Sequence, residues 1–146
     1  MRGRETLDLA YRATSYVASE PGGQEIRIRV GEESPDLNSL LQAHGVTSCA
    51  FLTPCNPRSE PLSDGVNAAR LAALRAEMEA RGFPYWEGMG VGEGTGWPPE
   101  PSLLVFGISR SEAIEMAVRY EQYAFVFGEL GGCAELVWTQ VAPTAG

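Results

Sequence analysis

The sequence predicts an α+β fold in which three helices pack mostly on one face of a mixed, mainly antiparallel sheet. Two apolar runs, residues 49–52 and 102–108, lack polar alternation, so they indicate central strands with both faces buried. A third segment, residues 25–30, alternates charged with aliphatic residues, which is typical of an edge strand with one buried face. With 146 residues, the chain is expected to form one domain over residues 1–146.

The N-terminal part is expected to contain an edge hairpin and one short helix. Residues 1–10 are mostly polar and are predicted to be flexible, as is the tail at 142–146. Residues 11–18 are predicted to form a strand that pairs with 25–30 through a Pro-Gly-Gly turn. The first helix should begin at Ser34, an N-cap that is followed by proline and aspartate.

Two further helices are predicted from their capping residues. Ser63 is a suitable N-cap for the second helix and Gly82 a suitable end for it. Ser109 and Glu112 form the spacing of a capping box, which predicts the start of the third helix. With the strands between them, residues 48–128 have the order strand–helix–strand–strand–helix–strand, the pattern of ferredoxin-like folds.

Three aromatic residues, Tyr123, Phe125 and Phe127, alternate along a predicted strand and should share one face of the sheet. If the helices leave that face uncovered, either a homodimer or a covering hairpin is expected to bury it, because an exposed apolar patch indicates an interface.

Composition excludes several classes of function. The net charge is −8 and the pI is about 4.6, which argues against binding to nucleic acid or to an anionic membrane surface. All 11 basic residues are arginine, so neither a Schiff-base lysine nor a phosphate-binding P-loop lysine is present. Three cysteines without a Cys-x-x-Cys pair predict no disulfide framework and no metal site, and no cofactor motif is found. Without an apolar signal segment or a run of transmembrane length, a cytoplasmic protein is expected.

The stretch from Thr53 to Asn67 is the first candidate for a site. It follows a predicted buried strand and contains two prolines, Pro54 and Pro57, that end the strand. Arg58 comes next, before the helix that Ser63 is expected to cap. An arginine beside the free N–H groups of a helix start favours a carboxylate or a phosphate, so a small anionic ligand is expected here. The alternative is that Asn67 only fixes the loop and Arg58 is a solvated charge. The predicted ligand-binding residues are Asn56, Arg58, Ser59, Ser63, Asn67, Trp97 and Ser102.

Residues 88–96 carry a glycine at every second position. No helix follows and no Gly-Lys-Ser/Thr closes the stretch, so it is neither a dinucleotide fingerprint nor a P-loop. It is predicted to be a mobile hairpin tip, with a lid in which Trp97 covers a pocket as the alternative.

An enzyme is the second hypothesis for this chain. Glu87 and Glu100 flank the glycine-rich stretch, and either could act as a general base if burial raised its pKa. Cys55 lies near a helix start, which would lower the pKa of its thiol and favour a nucleophile in a hydrolase or transferase. His44, the only histidine, is a candidate base for Cys55 or Ser59.

Five blocks in order, at residues 11–16, 56–67, 85–88, 97–105 and 131–137, resemble a bacterial family of proteins of unknown function, DUF3293. The resemblance covers nearly the whole chain and implies a small stand-alone domain, with no activity or catalytic residue to carry over. This chain departs from the family's pattern at two positions, where Cys55 replaces an aromatic residue and Val66 replaces a glutamate. Three functions therefore stay open: a module that binds a small anion, a small enzyme, or an acidic domain that binds a basic protein partner.

Overall fold

A computed structural model describes residues 3–93 and 98–144. In the described ranges, the chain forms four helices, seven strands and a 3₁₀ turn at Pro57–Ser59. The helices are α1 (Arg4–Arg12), α2 (Pro35–Ala43), α3 (Asp64–Arg81) and α4 (Arg110–Arg119). The strands are β1 (Thr14–Ser19), β2 (Glu25–Ile28), β3 (Ser48–Leu52), β4 (Tyr85–Gly92), β5 (Glu100–Phe106), β6 (Ala124–Glu129) and β7 (Glu135–Trp138).

All seven strands belong to one sheet in the order β2-β1-β4-β5-β3-β6-β7. Every pair of neighbouring strands is antiparallel, so the expected parallel component is absent from the described sheet. The sheet curls until its two edges meet at one end: Gly31 N–H donates to Ala134 O (2.7 Å), and Ala134 N–H donates to Glu32 O (3.0 Å). The curl gives the sheet a concave and a convex face.

The two faces carry separate hydrophobic cores. On the concave face, α2 packs with inward residues of the strands, including Phe51, Trp86 and Phe106. On the convex face, α3 and α4 cover β3, β5 and β6. The helices therefore lie on both faces, and the expectation of helices on mostly one face is wrong. Phe125 and Phe127 lie under α3 and α4, so the predicted open aromatic face is also wrong.

The prediction of three helices is wrong because the N-terminal segment forms α1, so Tyr11 and Arg12 are helical and β1 begins only at Thr14. Leu7 is buried and lies one turn before Tyr11, which gives the helix an inward face. Arg12 and Asp8 form an i, i+4 ion pair on the outside (2.8 Å). Sequence patterns missed α1 because Leu7 is its one buried residue and Gly3 provides no side-chain cap.

The serine caps predicted for the three other helices are confirmed. The hydroxyls of Ser34, Ser63 and Ser109 accept hydrogen bonds from Leu37, Val66 and Glu112. The element order β3-α3-β4-β5-α4-β6 is present, and its strands are neighbours in the order β4-β5-β3-β6. The likeness to ferredoxin-like folds stays a prediction. Within the described ranges, no helix combines the length and the apolar character that crossing a membrane requires.

Candidate functional site

A pocket of about 140 Å³ lies between α1 and the concave face of the sheet. At about 30 Å³ for each water in the liquid, that volume is enough for roughly five water molecules or a small organic ligand. Helix α1 forms its roof, the loop after β3 forms one wall, and β4, β5 and β6 form its floor. The described lining residues are Leu7, Ala10, Tyr11, Thr14, Tyr16, Phe51, Thr53, Asn56, Ser59, Gly90, Gly92, Pro98, Glu100, Gln122, Ala124, Phe125 and Val126.

The alternating glycines make room for this pocket. Gly88, Gly90 and Gly92 lie in β4, so the prediction of a hairpin tip starting at Gly88 is wrong for these residues. Because side chains alternate across a strand, all three glycines face the concave side. A Cβ on Gly88 would lie 2.7 Å from Phe51 Cζ, and one on Gly90 would point at Thr14 and Tyr16. The missing side chains therefore let the sheet curl tightly and leave space beneath α1.

Glu100 supplies the carboxyl group of the pocket. It begins β5 opposite Gly90, and its Oε2 accepts a hydrogen bond from Asn56 Nδ2 (3.0 Å). Within the part of the chain that the structure describes, Glu100 forms no ion pair. Burial raises the pKa of Glu100, and the Asn56 hydrogen bond lowers it in part. An acid with a raised pKa in a pocket is a frequent feature of functional sites.

Asn56 is fixed by Asn67, which begins the second turn of α3. Asn67 Oδ1 accepts the Asn56 backbone N–H (3.0 Å), and Asn67 Nδ2 donates to Asn56 Oδ1 (2.8 Å). Asn56 Oδ1 also accepts the Leu62 N–H (3.0 Å), so Asn56 Nδ2 points to Glu100. Asn56 has a left-handed backbone (φ 49°), which asparagine tolerates better than most residues. The alternative in which Asn67 fixes the loop is thus confirmed, and the same bonds orient a pocket residue.

Two residues that hold this wall were missed by sequence patterns. Arg70 Nε donates to Pro54 O (2.6 Å) and its Nη2 to Tyr120 O (2.8 Å), which ties the loop to the end of α4. Gln122 is buried, and its Nε2 donates to Cys55 O (2.9 Å). Arg70 lies one turn after Asn67, so its helical spacing was a usable signal; Gln122 precedes an apolar strand without any such pattern.

Aromatic rings form the apolar part of the pocket. Tyr16 and Phe51 pack edge to face with ring centroids 5.2 Å apart. The Tyr16 hydroxyl donates to Tyr11 O (3.2 Å), which links β1 to the roof helix. Burial raises the pKa of Tyr16, so its phenol is neutral at physiological pH. On the other side of the roof, the Tyr11 ring meets Trp138 of β7 at 5.6 Å.

Three of the predicted ligand residues have other roles. Arg58 lies 3.7 Å from Glu121 in an exposed ion pair and does not line the pocket. Ser63 caps α3, and the buried Ser102 donates to the Glu100 backbone carbonyl (3.0 Å). Ser59 does line the pocket.

The remaining candidates lie outside the pocket. Glu87 faces the convex side, where both of its carboxylate oxygens bond to Arg75 (2.8 Å each). Cys55 is buried, and burial raises its thiol pKa instead of the helix start lowering it. The His44 ring stacks on Phe106, and its Nδ1 lies within hydrogen-bond distance of Leu40 O. Among the described residues, His44 forms no hydrogen bond with Cys55 or Ser59. Trp97 and the expected lid at 94–96 fall outside the described residues.

Within the described ranges, no group of three or more histidine, cysteine or acidic side chains could hold a metal ion. A model of a family described as "Protein of unknown function (DUF3293)" matches residues 52–125. The chain belongs to this family. A search of the curated proteins and a search of the solved structures each gave no match.

The DUF3293 match covers one side of the pocket. It includes the wall residue Asn56, the carboxyl group of Glu100 and the buried Gln122. The roof helix α1 and strand β1 lie before the matched range, and Trp138 lies after it. The wall and most of the floor therefore belong to the family segment, whereas the roof and the floor residue Val126 lie in flanking chain.

Proposed function

We propose that this protein binds a small polar organic molecule in the pocket beneath α1, with Glu100 as its principal polar contact. The observation that carries this proposal is a partly buried carboxyl group that faces a pocket and has no cationic partner among the described residues. Moving a carboxylate out of water is costly unless it is paired, so a protein gains little from such a group without a ligand.

The ligand is therefore expected to contact Glu100 and not Arg58. No arginine is among the described lining residues, and Arg58 is already opposite Glu121. A small anion would meet the Glu100 carboxyl group, so the anionic ligand expected from the sequence is disfavoured in this pocket.

Ligand-observed NMR with a diverse set of small polar metabolites tests the proposal, using wild type, Glu100→Gln and the control Glu87→Gln. Both variants remove one acid, but Glu87 lies outside the pocket. Binders that depend on Glu100 and are unaffected at Glu87 are expected. If no compound binds, or if all binders ignore Glu100, the proposal is wrong.

A small acid–base enzyme is a second candidate, supported by the raised pKa of Glu100. Glu87 and Cys55 do not support it, because one is paired on the convex face and the other is a buried neutral thiol. Incubating wild type and Glu100→Gln with a metabolite extract, followed by mass spectrometry, tests this role. A product formed only by the wild type is expected for an enzyme.

The other expectations from the sequence, namely one domain, a bacterial and cytoplasmic protein, a basic protein partner and a homodimer, stay predictions. The dimer no longer has the aromatic face of β6 to support it, because α3 and α4 cover that face.

A further inference from the structure

We propose that the ligand of this pocket is a small organic cation, a short aliphatic or methylated amine whose ammonium group meets Glu100. This inference rests on the proposed function and specifies the class of ligand.

The hydrogen-bond donors that line the pocket are almost all used inside the protein. Gln122 Nε2 faces two backbone carbonyls, and Asn56 Nδ2 faces the Glu100 carboxyl group. The remaining assigned donors are the hydroxyls of Tyr16 (to Tyr11 O), Thr14 (to Ala10 O) and Thr53 (to Pro101 O).

The unused hydrogen-bonding capacity is mostly that of acceptors. Glu100 Oε1 and Gln122 Oε1 accept no hydrogen bond from the described residues. Only Ser59, whose hydroxyl can both donate and accept, adds a donor that the described residues leave unused. A ligand that satisfies this wall must therefore donate, and an ammonium group donates without accepting.

The rest of the lining suits the carbon part of such a ligand. Tyr11, Tyr16 and Phe51 surround the space with aromatic carbon, and Leu7 and Val126 add aliphatic surface. Aromatic rings attract ammonium and methylated ammonium groups through their negative faces. The net charge of −8 also favours the approach of a cation over that of an anion.

Three compounds of nearly equal size separate charge from shape: isobutylammonium, isobutanol and isobutyrate. Their dissociation constants for wild type, Glu100→Gln and Glu87→Gln are measured by NMR titration at fixed ionic strength. Isobutylammonium should bind wild type about tenfold or more tightly than isobutanol, since an opposite charge nearby shifts an ionic equilibrium by roughly one to three pKa units. Isobutyrate should bind weakest. Glu100→Gln should remove the preference for the cation, and Glu87→Gln should retain it.

The pH dependence provides the same test without a substitution. The titratable side chains close enough to interact electrostatically with Glu100 are Tyr16 of β1 and Cys55 of the loop, and Tyr11 of α1 lines the same pocket. Because the cation binds the ionised carboxylate, its affinity should fall as pH decreases from about 8 to about 5, whereas that of isobutanol should stay constant.

The outcomes distinguish the two proposals. If isobutanol or isobutyrate binds as tightly as isobutylammonium, the assignment of a cation is wrong but the pocket still binds a ligand. If none of the three compounds shifts the resonances of pocket residues, while metabolites without a positive charge do so through Glu100, the assignment of a cation is wrong and the proposed pocket still stands. If nothing binds through Glu100, both proposals are wrong.

Discussion

The pair Asn56 and Asn67 combines a structural and a positioning role at the scale of single residues. Asn67 Oδ1 accepts the backbone N–H of Asn56, a residue with a left-handed backbone, and Asn56 Nδ2 in turn donates to Glu100. Because Asn67 is a polar residue on the core-facing stripe of α3, the sequence predicted that its side chain has a hydrogen-bond partner. The sequence did not predict that the hydrogen bonds would continue from Asn67 through Asn56 to Glu100, which lies 44 residues after Asn56.

Asn67→Leu should lower the free energy of unfolding by about 1–3 kcal/mol, because it leaves the Asn56 N–H without its acceptor. Arg58→Ala is the control from the same loop: an exposed ion pair contributes about 0–1 kcal/mol, so little change is expected. Urea denaturation measures both. An equal loss for the two variants would contradict this role for Asn67 and would make Arg58 a structural residue.

Glu100→Gln should stabilise the folded protein at neutral pH. Because the pKa of Glu100 is raised in the folded state, the folded protein stays protonated at pH values at which the unfolded chain has lost the proton. The free energy of unfolding therefore declines as pH rises from the unfolded-state pKa to the folded-state pKa. Glutamine has no proton to lose and can still accept from Asn56 Nδ2. Thermal melts from about pH 4 to about pH 8 should show the variant gaining on the wild type as pH rises. A difference that is constant with pH would indicate that Glu100 titrates normally.

At the scale of elements, β4 determines where the pocket can form. Its glycines occupy every concave-facing position from Gly88 onward, while Glu87, Met89 and Val91 face the convex side. A pattern of period two is the signal of a strand, and it already separates Glu87 from the glycine face. The abundance of glycine obscured that signal, since glycine usually indicates a loop.

Gly88→Ala should destabilise the protein, whereas Gly90→Ala should not. The new Cβ of Gly88→Ala would lie 2.7 Å from Phe51 Cζ and 2.9 Å from Val17 O, so a loss of about 1–3 kcal/mol is expected from overpacking. The Cβ of Gly90→Ala would meet its nearest atom at 3.7 Å, so this variant should be neutral or gain about 0.5 kcal/mol. Chemical denaturation compares them. Equal losses would mean that space above Gly88 does not limit the sheet.

The roof helix α1 is held mainly by one buried side chain. Leu7→Ala should cost about 2 kcal/mol or more, since Leu7 is 4% exposed. Leu9→Ala on the outer face should change stability by less than about 0.5 kcal/mol, since Leu9 is 67% exposed. Thermal melts of both variants provide the measurement, and similar effects would contradict the packing of α1 on the sheet.

At the scale of the whole molecule, the curl of the sheet brings its two edges together and α1 spans the remaining gap. The Gly31 and Ala134 amides join the edges at one end. At the other end, α1 contacts β1 through Tyr16 and β7 through Trp138. The pocket exists because the edges close at the first end and a helix, not a strand, covers the second.

Hydrogen exchange should show this closure directly. The Gly31 and Ala134 amides should exchange slowly, since each donates a backbone hydrogen bond between the two edges. The amide of Gly22, in the exposed turn between β1 and β2, should exchange rapidly. Rapid exchange at all three positions, measured by NMR in native buffer, would mean that the edges do not remain joined.

The sequence by itself determined the parts of this protein that depend on neighbouring residues. Apolar runs located β3 and β5, and serine caps located α2, α3 and α4, because burial pattern and capping are local along the chain. The segment around Asn56 was likewise identified as the place to look for a site. Only the tertiary structure decided which faces meet: that Glu100 and not Glu87 enters the pocket, that α1 covers it, and that Arg58 stays outside. Those outcomes depend on strand pairing between distant residues and on the curl that it produces, which periodicity within one element does not specify.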